Sequence, residues 1–194
     1  MKIYYIAEAT IPSVSAYSQH VMQMSAQISK KKNFKLITIN QNKNLLHKVK
    51  NIFKFYDVNN FDIKIVNSSN ILFFNKIIFI LKILNEINIF EKKFFISRSP
   101  IASLILLLLN CKIIVELHHP FHSKMFLKIF NLLSKRKNLV QIIVISKSLK
   151  KYLIENTNYN IENKISVLPD SANQKQHNLI KSKINFSNKN VGYV

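Results

Sequence analysis

The chain has 194 residues, 48% of them hydrophobic, which suffices for one sizeable core and excludes a disordered polymer. One cysteine, Cys111, excludes an internal disulfide framework. The net charge of +20 invites a phosphate-rich partner, but the lysines are spread along the whole length with one cluster at Lys30 to Lys32, and no nucleic-acid recognition module is legible.

Lys2 to Ala7 (KIYYIA) is a short β-rich run, and Thr10 to Ser18 (TIPSVSAYS) is a polar loop punctuated by Pro12. From Tyr17 to Lys31 apolar residues recur at Val21, Met24 and Ile28 along one helical face, and Lys30 to Lys32 suit the negative end of that helix. Lys35 to Ile39 (KLITI) is strand again, completing the crossover unit that builds parallel sheets. Leu45 to Phe55 reads as a short helix and Phe61 to Val66 as an alternating strand. Ser69 to Ile89 reads as a long apolar helix with Lys76 and Lys82 on its wetter side. Lys93 to Ser97 (KFFIS) is the next strand. Pro100 opens a helix to Leu109 that is apolar nearly all round, which places it deep against a sheet. Cys111 follows it and reads as a small buried hydrophobe.

In Lys112 to Pro120 (KIIVELHHP) the run IIVEL is β-branched and flanked by helical patterns, as a central parallel strand covered on both faces would be. A helix over Lys124 to Ser134, a strand over Val140 to Ile145 and a helix over Lys147 to Glu155 capped by Ser146 come next. Lys164 to Leu168 is a last strand, ending at Pro169. The alternation predicts one α/β domain over residues 1–169, Rossmann-like, with a doubly wound and mainly parallel sheet. Residues 170–189 are polar and read as a linker. Residues 190–194 (NVGYV), with the only glycine, read as the first strand of a truncated second domain.

No run spans a bilayer: Ser99 to Cys111 is well short of the ~20 residues needed, and Ile71 to Phe90 is broken by Lys76, Lys82 and Glu86. Glu8 and Pro12 come too early for a signal peptide. A cytoplasmic protein is expected, with a basic face suited to peripheral contact with an anionic inner membrane surface. Asn, Ile, Lys and Phe abound as in an AT-biased coding sequence, so part of the charge needs no partner.

Ligands of open α/β sheets bind outside the carboxyl ends of the strands, which makes the end of IIVEL the place to look for chemistry. Glu116 and His118 are two apart and therefore share a face. For His118 and His119, an acid–base or hydrogen-bonding role and a merely structural polar loop both stay open. His118, His119 and His122 could be metal ligands, but the spacing crosses a proline loop and no cysteine or second carboxylate completes a set, so no metal is expected. Arg98, after a strand end, can clamp an anion or a sugar hydroxyl; a solvated cap for a neighbouring loop is the plainer reading. Ser13, Ser15, Ser18 and His20 lie on the first strand-to-helix loop, which suits a phosphate or hydroxyl-bearing ligand, although N-capping by Ser15 or Ser18 explains serines there equally well. There is no GxGxxG and no P-loop, and no GxSxG elbow supports Ser97 or Ser146 as a nucleophile.

Taken together these pieces resemble the N-terminal, acceptor-side domain of GT-B glycosyltransferases of family 4, a retaining, nucleotide-sugar-dependent group. Pro12, Ala16, Ser18, His20 and Val21 match the P-x-x-x-A-x-S-x-H-V variant of the family's first loop. FFISRSPIASLILLLL, KIIVELHHP, IIVISKSLKKYL and KISVLPDSAN match later elements in order, and the family's histidine near the reacting sugar maps to His118. The resemblance implies transfer of a sugar from a nucleotide-sugar donor to a glycan or lipid-linked acceptor, as in polysaccharide or glycolipid synthesis. It implies His118 and Glu116 in catalysis, Ser15, Ser18, His20, Arg98, His119 and Ser146 on the substrate side, and no cofactor or metal, since basic side chains and helix N-termini stabilise the leaving diphosphate. The first loop departs from the family in having Ser and Ala where relatives have paired glycines. The motifs that bind the nucleotide sugar in the family's second domain are not in these 194 residues, so the chain by itself is expected to be inactive. The alternatives are a non-catalytic or truncated binding module and, from the charge, a basic nucleic-acid-binding protein.

Overall fold

The computed structural model describes residues 2–40, 49, 51–67, 72–87, 93–121 and 123–169. Seven strands, β1 (Lys2–Thr10), β2 (Phe34–Asn40), β3 (Asp62–Asn67), β4 (Lys93–Ser97), β5 (Lys112–Leu117), β6 (Leu139–Val144) and β7 (Ile165–Val167), form one sheet in the order β3-β2-β1-β4-β5-β6-β7. Every neighbouring pair is parallel, as expected of β-branched runs separated by helices. The chain winds outward from β1 to β3 and then from β4 to β7. The direction therefore reverses between β1 and β4, which is where an open sheet leaves a crevice at its carboxyl edge.

Strand alternation divides the core in two. Tyr5, Ala7, Leu36 and Ile96 point to one face, where they bury Val21 and Met22 of α1 (Ala16–Ser29) and, beside α2 (Ile52–Phe55), Tyr56. Tyr4, Ile6, Phe95, Val115 and Ile142 point to the other, covered by α3 (Leu72–Glu86), α4 (Pro100–Leu108), α5 (Lys124–Ser134) and α6 (Lys147–Glu155). Each fully buried Leu, Ile or Phe on these faces contributes roughly 1.5–3 kcal/mol.

A chain almost without glycine still has to start and stop its helices. Ser15, Asn51, Ser99, Ser123 and Ser146 each turn a side-chain oxygen onto the amide three residues on, at the N-termini of α1, α2, α4, α5 and α6. After α4, Asn110 takes the left-handed conformation (φ 59°) that glycine usually supplies. At the far end of α3, Glu86 pairs with Lys35 at 2.5 Å and Lys64 at 3.2 Å, so some of the lysine excess serves the fold itself.

Several boundaries differ from those read off the sequence. β1 continues to Thr10, because Thr10 pairs with Ile39 and the Thr38 hydroxyl donates to the Ala9 carbonyl. Only Ile52 to Phe55 of the helix expected over Leu45 to Phe55 lies in a described helix; most of its earlier part lies outside the described residues. A 3-10 turn at Glu162–Lys164 precedes β7. Cys111 is half-buried, not buried, and burial raises its thiol pKa against the opposing effect of Lys93. The linker and the second-domain strand expected over 170–194 lie outside the described residues, as does His122.

Candidate functional site

Tyr5 on β1, Ile96 on β4 and Ile114 on β5 sit at matched register on the face covered by α1. Glu116 is two residues beyond Ile114 and so emerges on that face near the carboxyl end of β5. Its side chain is 3% exposed. One carboxylate oxygen, Oε2, accepts from the Tyr5 hydroxyl at 2.8 Å. The other, Oε1, lies 2.6 Å from His118 Nε2, 3.5 Å from His20 Nε2 and 3.8 Å from Arg98 Nη1. The His20 and His118 rings meet edge to face, 5.4 Å between centroids.

Burial by itself would raise the Glu116 pKa. The hydrogen bonds of His118 and His20, the Arg98 charge and the Tyr5 hydroxyl outweigh it and hold the carboxyl well below the usual range. An ionised carboxylate only accepts, so in this contact the proton sits on His118 Nε2. The Arg98 guanidinium carbon lies over the Tyr17 ring, 4.4 Å from its centre. The Tyr17 hydroxyl pKa is pushed up to about 12 by burial, with Glu8 and Glu116 adding to it against Arg98. Tyr5 is raised as well, first by burial and then by the adjacent Glu116 charge.

Apart from Tyr5, these groups line a cavity of about 700 Å³ at the reversal of strand order. Glu8, Tyr17, His20, Arg98, Glu116, His118 and His119 supply its polar wall. Ile101, Leu117, Phe121, Phe126 and Ile145 supply an apolar one. Such a mixture suits a ligand with hydroxyls on one side and apolar surface on the other.

Of the expected site residues, Glu116, His118, His119, His20 and Arg98 come together here. Arg98 overturns the solvated-cap reading: its side chain is 6% exposed, and its buried Nη1 has no hydrogen-bond partner among the described residues. It is turned inward because β4 lies between β1 and β5, with the Arg98 amide tied to the Ile6 carbonyl at 2.9 Å. Ser15, Ser18 and Ser146 do not line the cavity. Ser15 and Ser146 cap α1 and α6, while Ser18 is fully buried with its hydroxyl on the Thr10 carbonyl at 2.8 Å. Ser97 is also buried and turns its hydroxyl onto the Ser99 carbonyl.

Among the described residues, those that offer metal-ligand atoms to one another are His20, Glu116 and His118, within 4.8 Å; the His118, His119 and His122 set considered above includes His122, which lies outside the described residues. Two ligands of one zinc ion, each about 2.0–2.1 Å from it, stand roughly 3.3 Å apart. The 2.6 Å His118 to Glu116 contact leaves no room for that, and Arg98 adds a fixed positive charge beside the same oxygen. Tyr5, Tyr17 and Glu8 were not singled out from the sequence. A tyrosine inside a buried strand was the available signal, because its hydroxyl has to find a partner.

The chain is similar in structure to the lipopolysaccharide outer core galactosyltransferase WaaB in its apo form, with a TM-score of 0.56 and 15% identity over 89% of this chain and 46% of that one. It is similar to Anabaena HepE in complex with UDP and glucose, with a TM-score of 0.58 and 9% identity over 95% of this chain and 50% of that one. The fold is that of a GT-B N-terminal domain. The same GT-B-like half also superimposes on the N-terminal domain of Candida albicans trehalose-6-phosphate phosphatase, with a TM-score of 0.57 and 12% identity over 90% of this chain and 49% of that one. The chain thus spans about half the length of the structures it matches. No protein-family model matches it, and no curated protein matches it in sequence.

Proposed function

We propose that residues 1–169 are the acceptor-side half of a nucleotide-sugar-dependent glycosyltransferase acting on a polysaccharide or glycolipid precursor. The observation that carries this reading is the Glu116 and His118 pair at the rim of β5, opening into a cavity at the reversal of strand order. The fold shared with WaaB and HepE supports it. In this reading His118 stands beside the transferred sugar and Glu116 fixes its ring. His20, His119 and Arg98 bond the acceptor, and Tyr17 and Phe121 lie along its apolar faces. Residues 170–189 are then a linker and 190–194 the start of a donor-side domain. A non-catalytic binding module is the second reading; the same fold also occurs in the N-terminal domain of a phosphatase, so the fold alone does not choose between them.

Titration of glycan and glycolipid acceptor analogues into the 194-residue chain, followed through the imidazole NMR signals, tests the cavity. Saturable binding that moves the His20 and His118 signals is expected, and no response to any acceptor would overturn the reading. Labelled sugar transfer by the chain joined to a donor-side domain separates the two readings. A roughly 10²-fold loss in His118→Ala fits an enzyme, and acceptor binding without any transfer fits the module.

A further inference from the structure

The fixed charge around the cavity has the opposite sign to that of the chain. Of 29 lysines and arginines in the sequence only Arg98 is among the described lining residues, while two of the nine acids, Glu8 and Glu116, are. With histidine counted as neutral, a protein of net charge +20 thus encloses a wall with more carboxylates than cations. The remaining titratable groups of that wall are Tyr17, His20, His118 and His119.

The two carboxylates are not equivalent. Glu116 is engaged by Tyr5, His118, His20 and Arg98, so its charge is answered within the fold. Glu8 makes no ion pair or hydrogen bond among the described residues and is half-buried. Its neighbours Ala7 and Ala9 are buried in the core beneath α1, which turns Glu8 to the other side of β1. β1 also loses its register with β2 between Ile6 and Thr10, the kind of irregularity that re-aims a side chain at a sheet end. The pairing of β1 with β4 stops at Ile6, whose carbonyl accepts from the Arg98 amide, so Glu8 stands beyond the last paired residue. Glu8 and Arg98 act on the Tyr17 hydroxyl in opposite senses, which puts both within electrostatic reach of one ring.

We propose that Glu8 sets the charge selectivity of this cavity, which takes a hydroxyl-rich sugar that is uncharged or bears an ammonium group and turns away one bearing a carboxylate or phosphate. A carboxylate accepts hydrogen bonds and a guanidinium donates them, so a ligand that meets Glu8 and Arg98 together must do both. A sugar hydroxyl does. An anionic group satisfies Arg98 alone and meets the repulsion of Glu8, with Glu116 behind it. That the sugar is an acceptor rests on the function proposed above; the sign of the selection rests on the lining residues.

Methyl glucoside, glucosamine and glucuronate, titrated at one pH into the 194-residue chain and followed through the His20 and His118 NMR signals, test the selection. Methyl glucoside and glucosamine are expected to bind roughly tenfold more tightly than glucuronate, and added salt should narrow the gap. Glu8→Gln should strengthen glucuronate binding about tenfold and weaken glucosamine, whereas Glu8→Asp keeps the order of the parent. A misplaced structural side chain would weaken all three probes alike. Glucuronate binding as tight as that of methyl glucoside in the parent would overturn the proposal, and so would an order that Glu8→Gln leaves unchanged. Either result leaves the acceptor reading standing, while binding of none of the three overturns that reading and the selection with it.

Discussion

Tyr5 and Glu116 are 111 residues apart and on strands that do not touch, yet the tyrosine hydroxyl reaches across β4 to donate to the carboxylate at 2.8 Å. The bond ties the first strand of one winding direction to the central strand of the other. Removing the acceptor should therefore cost stability as well as function. Glu116→Ala removes the carboxylate that pairs with the buried Arg98 guanidinium, for which a loss of roughly 3–5 kcal/mol is expected. Tyr5→Phe removes one hydrogen bond to a charge and should cost about 1.5–3 kcal/mol. Urea unfolding of both variants checks the order, and equal midpoints for Glu116→Ala and the parent would sink it.

The same carboxylate makes stability depend on pH with a definite sign. Its pKa is depressed in the folded chain and ordinary in the unfolded one, so the folded state holds fewer protons on it. The stabilisation is complete above the unfolded value of about 4.3 and is lost as pH falls from there through the folded value. Glu86, lowered by Lys35 and Lys64 against a smaller burial effect that follows the Lys35 bond, adds to the same acid limb. Unfolding midpoints should fall as the pH drops below about 4.3. In Glu116→Gln the fall should be shallower, with the remainder set by Glu86.

Much of the architecture could be read without coordinates, because β-branched runs such as IIVEL and VQIIV fit poorly anywhere except a covered strand. The Glu116 and His118 pairing was legible for an equally local reason, the two-residue period of a strand. What was hidden is everything that needs two distant elements at once. Nothing in KIYYIA says that Tyr5, and not Tyr4, meets a carboxylate, since the choice depends on which face α1 covers. Arg98, two residues before Pro100, looks like a surface residue until β4 is placed between β1 and β5. His20 on α1 meets Glu116 on β5 across the sheet edge, a pairing that no local spacing in the sequence displays.

The serines give a clean separation of structural from ligand-binding roles. Ser15 accepts from the Ser18 amide as the cap of α1, and Ser146 does the same for Leu149 in α6. Ser15→Ala and Ser146→Ala should each lower stability by about 1 kcal/mol while leaving acceptor affinity within twofold, roughly the scatter of such measurements. Calorimetric titration alongside thermal unfolding checks this. A large loss of affinity at unchanged stability would return Ser15 to the acceptor side.

Arg98 should behave in the opposite way. Its guanidinium lies against the Tyr17 ring, near Glu116, with a buried Nη1 that has no hydrogen-bond partner among the described residues while it lines the cavity. A group taken out of water and left without an acceptor is costly, so a ligand oxygen that meets it gains on binding what folding left unsatisfied. Arg98→Lys keeps a positive charge near Glu116 but lacks both the planar group over Tyr17 and the forked donors. Stability should then fall less than in Glu116→Ala, whereas affinity for the proposed acceptor should drop by about 1.5–3 kcal/mol, on the order of 10- to 150-fold. Arg98→Met, which keeps length and removes the charge, should lose that affinity and also weaken the acid limb, because one of the groups holding Glu116 down is gone. If Arg98→Lys binds acceptor as tightly as the parent, the guanidinium serves Glu116 alone and the contact with the ligand must be sought among His20, His118 and His119.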